Sequence, residues 1–297
     1  MLDLAIALKE KGYEDVSGSD EEMISEGDQQ RLNEAGISFS APWNPDHLDK
    51  EIDYVVLATH IKLDNVEVQQ AQRLNLQIMS IPEFIYDRTK GKTRLVVAGT
   101  KGRKSQMAII LNMLKRQKIA FDYILSSSVP GVDRLVSLKY DARIAVIEGD
   151  ELISSPVKKK HKLEFYRPHI ALILNVLWKE TKEFPTEEEY GKVFDDFIRT
   201  IERDGKFIYN QEDSALNEFA AKIREDITAI PYTQHQIIEE DENIYLDTRF
   251  GKYPITTKEA YFLENLNGAR YACRQLGISD KDFYAAAYGV SKELKPN

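Results

Sequence analysis

The stretch VVAGTKGRKSQMAIIL at residues 96–111 constrains the fold more than any other part of the sequence. An apolar β-rich run leads into a loop with Gly99 and Gly102, and an amphipathic helical pattern follows. Such a loop points backbone N–H groups and the positive end of the helix dipole at one spot, which favours a phosphate. Lys101, Arg103 and Lys104 add positive charge. The stretch therefore predicts an α/β unit with a phosphate site, and the alternative is a basic turn without a ligand.

The loop departs from the standard P-loop. That motif needs Gly-Lys followed by Ser or Thr, because the lysine neutralises the β- and γ-phosphates and the hydroxyl holds Mg²⁺. Here the order is Gly102-Arg103-Lys104-Ser105, so the template is not met.

Hydrophobic patterning places the loop in the second of two α/β units. In the first unit, we expect a helix from Leu2 to Gly12, a strand near Val16, strands at 53–60 and 76–81, and a helix at 65–74. Nearly continuous apolar strands separated by helices are typical of a parallel sheet covered on both faces. We expect this unit to end near residues 90–92.

The second unit continues the alternation. Its predicted strands are 94–98, 121–126, 143–148, 169–176, 207–209 and 227–232, and its predicted helices are 105–118, 187–201, 213–224, 258–275 and 280–287. Thr186 is expected to cap the helix at 187–201, with Glu189 three positions later. The alternating stretch 235–255 predicts an antiparallel hairpin or meander.

Carboxylates follow two of these strands. Glu148, Asp150 and Glu151 lie at the end of an apolar strand, where open α/β sheets bind ligands, and carboxylate oxygens suit Mg²⁺. Glu180 and Glu183 follow the strand at 169–176 and are candidates for the same crevice. The alternative for both groups is a solvated surface loop.

Two polar residues of the first unit are candidate ligand contacts. His60 and Asn65 follow the strand at 53–60, and the alternative is structural hydrogen bonding. The five histidines show no close metal-ligand spacing, and no Ser/His/Asp pattern can be assembled.

Composition limits the compartment and the partners. Lys plus Arg is 40 and Asp plus Glu is 49, a net charge of −9, which disfavours nucleic acid as a partner. The single cysteine, Cys273, excludes an internal disulfide. No apolar run is long enough to span a membrane, and the N-terminus is not a signal peptide, so we expect a cytoplasmic protein. The run Lys158-Lys159-Lys160 is expected to be a solvated loop.

The motifs together resemble the Mur ligase family, and within it the branch that adds L-alanine or recycled tripeptide to UDP-N-acetylmuramate. The segments that carry the resemblance are LAIALKEKGYEDVSGSD, ATHIKLDNVEV, IMSIPEFIYD, VVAGTKGRKS, IEGDELISSP, RPHIALILNVLWKETKEFPT and ENLNGARYACRQLGISDKDFYAA. The resemblance implies a truncated Rossmann-like UDP-sugar-binding domain at 1–91 and a P-loop-type central ATPase domain at 92–297.

The resemblance also implies ligands and their residues. ATP would bind at 99–105, with Gly99, Thr100, Lys101, Gly102, Arg103, Lys104 and Ser105 as contacts. Mg²⁺ would be held by Glu148 and Glu180. The UDP-N-acetylmuramate-type substrate would lie near Ser19, Asp20, His60 and Asn65. No catalytic residue is assigned.

Several family positions are substituted in this chain. Arg103 replaces the nucleotide-binding lysine, and Lys104 replaces the Mg²⁺-binding threonine. Charged lysine has no lone pair for a metal, so its ammonium would take the place of the metal. Lys179-Glu180 replaces the acidic residue and histidine after the next strand, and Tyr261-Phe262 replaces the histidine and asparagine that open a late helix.

Two hypotheses follow. In the first, the chain is an ADP-forming ligase, or part of one, that joins an amino acid or peptide to UDP-N-acetylmuramate. In the second, it is a catalytically inactive relative, without cofactor, that binds a nucleotide, a UDP-sugar or another protein. We expect the family's first strand and its third domain to be absent, which leaves open a partner protein that supplies the third domain. A dinucleotide-binding oxidoreductase is set aside because no G-x-G-x-x-G occurs.

Overall fold

The computed structural model describes residues 1–154 and 160–294. The first part of the chain contains two separate pairs of parallel strands, β1 with β2 and β3 with β4. Its elements are α1 (Leu2–Glu10), β1 (Ser17–Ser19), α2 (Glu26–Glu34), β2 (Ser38–Ser40), a 3-10 turn (Pro45–His47), β3 (Tyr54–Leu57), α3 (Val66–Leu74), β4 (Gln77–Ser80) and α4 (Ile81–Thr89). The alternation of strands and helices agrees with the predicted α/β class.

Two helices of this part were not predicted. The apolar run at 76–81 ends as a strand at Ser80, whose hydroxyl forms a capping box with Glu83 and starts α4. Helix α2 buries only Leu32, so its sequence lacks the apolar stripe that hydrophobic patterning detects.

The second part of the chain forms a seven-stranded sheet in the order β11-β10-β9-β5-β8-β6-β7, parallel except for the pair β6–β7. The strands are β5 (Thr93–Ala98), β6 (Phe121–Ile124), β7 (Val136–Ser137), β8 (Ile144–Glu148), β9 (Ile170–Ile173), β10 (Lys206–Asn210) and β11 (Thr228–Tyr232). Its helices are α5 (Arg103–Arg116), α6 (Leu163–Tyr166), α7 (Glu187–Arg199), α8 (Ser214–Ala221), α9 (Ala260–Gln275) and α10 (Asp280–Glu293). The predicted meander is confirmed as β12 (Ile237–Glu240), β13 (Asn243–Thr248) and β14 (Gly251–Ile255).

Strand β5 shows why the sheet is covered on both faces. Leu95 and Val97 belong to the core that contains α5, α9 and α10, whereas Val96 and Ala98 belong to the core that contains α1, α4 and α7. Alternate residues of a strand point to opposite faces, so an uninterrupted apolar run satisfies both cores.

Two predicted helix ends are corrected. Helix α5 begins at Arg103 and not at residue 105, because Gly102 (φ 95°) is its N-cap. Arg103 and Lys104 therefore lie in the first helical turn. Helix α10 runs to Glu293, beyond the predicted end at 287. Thr186 caps α7 as predicted, since its side chain accepts a hydrogen bond from the N–H of Glu189.

Arg94, at the start of β5, joins the two parts of the chain. Its guanidinium donates to the carbonyl oxygens of Thr89 and Lys90 at the end of α4, and to those of Tyr166 and Arg167 at the end of α6. The predicted domain boundary at residue 91 falls between α4 and β5; the domain division itself stays a prediction.

Some of the predicted features fall on residues that the structure does not describe. Lys160 is exposed, whereas Lys158 and Lys159 lie outside the described residues, as does residue 297, the predicted end of the central domain. Within residues 1–154 and 160–294, no helix combines the length and apolar character that crossing a bilayer requires.

Candidate functional site

The glycine loop leaves the carboxyl end of β5 and needs both of its glycines. Gly99 (φ 137°) and Gly102 (φ 95°) adopt backbone conformations that other residues rarely take. A Cβ on Gly99 would lie 3.1 Å from the Cβ of Leu174, and one on Gly102 would lie 2.8 Å from the hydroxyl oxygen of Tyr261. The loop therefore packs against β9, and Tyr261 lies directly against it.

Asn175, just after β9, occupies two N–H groups of the loop. Its backbone oxygen accepts from the N–H of Thr100 at 3.1 Å, and its Oδ1 accepts from the N–H of Lys101 at 2.9 Å. The hydroxyl of Thr100 lies 2.7 Å from that of Tyr190 and accepts from the N–H of Leu177. Burial raises the pKa of Tyr190 to about 12, so this phenol stays neutral. These contacts fix the first half of the loop.

The second half of the loop is open to solvent. Lys101, Lys104 and Ser105 are exposed, and the first N–H groups of α5 have no partner within the helix. This end of the site keeps the features of a helix N-terminus that attracts an anion.

Arg103 turns back over the loop toward the neighbouring strand. Its NH1 donates to the carbonyl oxygen of Gly99 and lies 3.2 Å from Oε2 of Glu151. Its Nε is buried, lies 3.7 Å from Oε1 of Glu148 and has no hydrogen-bond acceptor. Lys104 is exposed, and the cation that faces Glu148 is Arg103. The replacement of a metal ion by a side-chain cation stays a prediction.

The carboxylates after β8 therefore already have hydrogen-bond or ion-pair partners. Glu148 is buried and accepts the N–H of Ser126 at 2.9 Å through Oε2. Asp150 pairs with Lys162 at 2.9 Å, and its other oxygen accepts from the N–H of Leu152. Each carboxylate of this strand end has a cation or an N–H group as its partner.

A cavity of about 380 Å³ lies beside these carboxylates, between the first part of the chain and the central sheet. Its polar lining comes from both parts: Asp3, Arg31, Thr59, Ser126, Glu148, Asp150 and Lys162. The rest is largely apolar, with Ile81 and Ile85 on one side and Leu125 and Val136 on the other. Such a cavity can hold a small molecule with apolar and charged portions.

Glu180 is exposed, and no hydrogen bond or ion pair joins it to Glu148. Glu183 accepts from the N–H of Ile153 at 3.2 Å. Among the described residues, no group of three or more His, Cys, Asp and Glu side chains is arranged to hold a metal ion. The metal role of Glu148 and Glu180 stays a prediction.

In the first part of the chain, the structure gives hydrogen-bond partners to three of the four candidates, Asn65, Ser19 and Asp20. Asn65 caps α3 by accepting the N–H groups of Glu67 and Val68, which is the structural alternative for this residue. The hydroxyl of Ser19 donates to the buried Glu67. Asp20 accepts from the N–H of Glu21 at 2.7 Å, and His60 is exposed. Their proposed contact with a substrate stays a prediction.

Sequence reasoning missed Asn175, Lys162 and Tyr190 as site residues. Asn175 directly follows an apolar strand, so its position at the carboxyl edge of the sheet was a usable signal. Lys162 and Tyr190 gave no such signal, because tertiary packing alone brings them to the site.

A doubly covered parallel sheet, with a glycine loop after β5 and carboxylates after the neighbouring β8, is typical of α/β proteins that bind ligands at the carboxyl edge of the sheet. The profile of the Mur ligase middle domain matches residues 97–266, more than half of the chain. The protein therefore belongs to the Mur ligase family, as the sequence motifs predicted.

Curated relatives agree with this assignment. The chain is 26% identical over 219 residues to UDP-N-acetylmuramate--L-alanine ligase of Carboxydothermus hydrogenoformans, covering 73% of this chain and 45% of the relative. It is 25% identical over 254 residues to the enzyme of the same name from Aquifex aeolicus, covering 85% and 52%. The chain thus spans about half the length of the curated relatives it matches.

Solved structures confirm the fold. UDP-N-acetylmuramate:L-alanyl-gamma-D-glutamyl-meso-diaminopimelate ligase from Neisseria meningitides matches with a TM-score of 0.80 and 21% identity, covering 97% of this chain and 94% of that one. UDP-N-acetylmuramate-alanine ligase from Thermotoga maritima matches with a TM-score of 0.66 and 17% identity, covering 97% and 66%.

ATP with Mg²⁺, which the family implies, fits this site only in part. The open first turn of α5 suits a phosphate. The metal position does not fit, because Mg²⁺ needs oxygen ligands in octahedral geometry at about 2.0–2.1 Å. Here the guanidinium of Arg103 already lies against both Glu148 and Glu151.

Proposed function

We propose that this chain binds a UDP-N-acetylmuramate-type molecule in the cavity beside β8 and does not by itself carry out ATP-dependent ligation. The single observation that carries the second half of the proposal is the guanidinium of Arg103 between Glu148 and Glu151. The first half is supported by the cavity and by the substrate that the relatives' names print.

The chemistry of the cavity suits a negatively charged sugar derivative. Lys162 and Arg31 supply two cations. Lys162 pairs with Asp150, and Arg31 pairs with Asp3 and Asp28. A ligand carboxylate or phosphate can share these cations, while the apolar wall covers the remainder of the ligand.

Ligation would demand more than binding. A carboxylate must first be phosphorylated, and the charge on the transferring phosphoryl group has to be neutralised by cations. With Arg103 bound to the acidic residues, the usual metal part of that neutralisation is lost. We therefore expect no ATP turnover from the isolated chain.

Isothermal titration calorimetry tests the proposed binding, and a measurement of ADP release tests the proposed lack of ATP turnover. UDP-N-acetylmuramate should bind the full chain, and Lys162→Met should weaken its affinity about tenfold or more, as loss of one charged contact implies. Lys222→Met, an exposed lysine on α8's C-cap, is the matched control and should bind as the wild type does. Absence of binding would refute the binding proposal, and ADP release from Mg-ATP would refute the lack of turnover.

A second candidate is ATP-dependent ligation of the kind that the relatives' names print. The exposed Lys101, Lys104 and Ser105 at the first turn of α5 favour it, because they leave two cations and a hydroxyl open to a phosphate. ADP release from Mg-ATP in the presence of UDP-N-acetylmuramate and L-alanine would support this candidate.

A further inference from the structure

We infer that Arg103 is a built-in replacement for the divalent cation of this site. The inference rests in part on the proposed lack of ATP turnover, but its geometry is independent of the cavity ligand. The position that it concerns is bounded by Gly99, Glu148 and Glu151.

The guanidinium bridges groups that a cation would otherwise bridge. NH1 lies 3.2 Å from the carboxylate of Glu151, and Nε lies 3.7 Å from that of Glu148. On the opposite side, NH1 donates to the carbonyl oxygen of Gly99. Three oxygen-bearing groups from two neighbouring strand ends thus meet one positive charge, as hard oxygen ligands meet a metal ion.

The hydrogen bonding of Arg103 is incomplete. Its Nε is buried without an acceptor, although donors of a buried arginine are normally paired. The side chain is therefore placed by charge and by its NH1 contacts more than by a closed network. Such a residue neutralises the carboxylates, and its backbone contact is the carbonyl oxygen of Gly99.

The cations and N–H groups around the site already neutralise its carboxylates, so no metal ion is needed for that purpose. Lys162 pairs with Asp150, the N–H of Ser126 donates to one oxygen of Glu148, and Arg103 faces the other oxygen of Glu148 and one oxygen of Glu151. A second cation at this position would meet a guanidinium within a few ångströms and be repelled. Removing the guanidinium should expose a pair of carboxylates to a divalent ion.

Mn²⁺ binding to the chelator-treated full chain tests this inference by electron paramagnetic resonance. Arg103→Met should bind one Mn²⁺ about 10- to 100-fold more tightly than the wild type, a change typical of altered surroundings of a metal site. Arg143→Met is the matched control, because Arg143 is an exposed arginine just before β8, the strand that carries Glu148 at its other end. This control should bind Mn²⁺ as the wild type does.

A double variant tests the location of the new site. Arg103→Met combined with Glu151→Gln should lose the gained affinity, because one of the two carboxylates is gone. Equal Mn²⁺ affinity in the wild type and a folded Arg103→Met would overturn the inference. So would a gain that survives Glu151→Gln.

Arg103→Lys provides the test if the methionine variant does not fold. A single ammonium cannot span two carboxylates as the guanidinium fork does, so this variant should also bind Mn²⁺ more tightly than the wild type. No gain in the lysine variant would then overturn the inference. Failure of UDP-N-acetylmuramate to bind would refute only the proposed ligand, since the Mn²⁺ measurement does not involve it.

Discussion

Arg94 and Arg103 lie at opposite ends of the segment formed by β5 and the glycine loop, and their surroundings differ sharply. Arg94 is 1% exposed, and its guanidinium donates to backbone carbonyl oxygens at the ends of α4 and α6 and to the carboxylate of Glu202. The side chain of Arg103 is 19% exposed, contacts two carboxylates and leaves its Nε without an acceptor. Backbone carbonyl groups accept most of the hydrogen bonds of Arg94, whereas Arg103 lies among carboxylates of a kind that can bind a ligand.

The comparison separates a structural cation from one that we infer takes the place of a metal ion. Removing Arg94 takes a charged donor from backbone carbonyl groups at the ends of α4 and α6, where helices leave carbonyl groups without partners in the helix. At Arg103, Glu148 lines the cavity and the Glu151 side chain is partly exposed, so we expect that water or a metal ion can replace the guanidinium. The two ends should therefore respond differently to the same substitution.

The largest effect is expected at Arg94. Arg94→Met should lower the free energy of unfolding by about 3–5 kcal/mol, because five backbone carbonyl groups and Glu202 lose a buried charged donor. Urea denaturation followed by circular dichroism measures the change. Arg143→Met, at an exposed position, should change stability by no more than about 0.5 kcal/mol. A loss of less than about 1 kcal/mol at Arg94 would contradict its structural role.

A smaller and recoverable effect is expected at Arg103. Arg103→Met should lower the free energy of unfolding by about 1–3 kcal/mol, because Glu148 is left buried with only the N–H of Ser126. Added Mn²⁺ should restore part of this loss, since a ligand that binds only the folded state stabilises it. The same ion should not rescue Arg94→Met. If Mn²⁺ restored the stability of both variants, or of neither, Arg94 and Arg103 would not differ in the way proposed.

The sequence allowed the central sheet to be predicted, because each of its main strands is apolar on both faces. The loop after β5 and the acidic residues after β8 were also predicted from their positions at strand ends. Helix α2 could not be predicted, since a helix that buries one leucine has almost no apolar period.

The sequence could not predict which side chain of the loop turns toward Glu148. Lys104 and Arg103 are adjacent and equally charged, and only the start of α5 at Arg103 decides which of them turns back toward Glu148. Gly102 sets that start through its left-handed backbone. Arg94 gave no signal at all, because its partners are backbone groups up to 73 residues away in the chain and the carboxylate of Glu202, 108 residues away.

The smallest effect concerns His169, which belongs to the Arg94 end of the comparison. Its Nδ1 accepts the backbone N–H of Arg94 at 3.1 Å, and burial, followed by the charge of Arg94, lowers the pKa of His169 below the ordinary 6.5. As pH falls, His169 is therefore protonated in the unfolded chain before it is protonated in the folded chain, so stability contributed by neutral His169 is lost below about pH 6.5.

Because the ring is only partly buried, we expect the free energy of unfolding to fall by about 0.5 kcal/mol between about pH 7.5 and pH 5.5. His169→Gln should remove that part of the pH dependence, while other histidines with lowered pKa values, such as His235, contribute equally to both proteins and cancel. Identical slopes of unfolding free energy against pH in the two proteins would show that folding does not lower the pKa of His169.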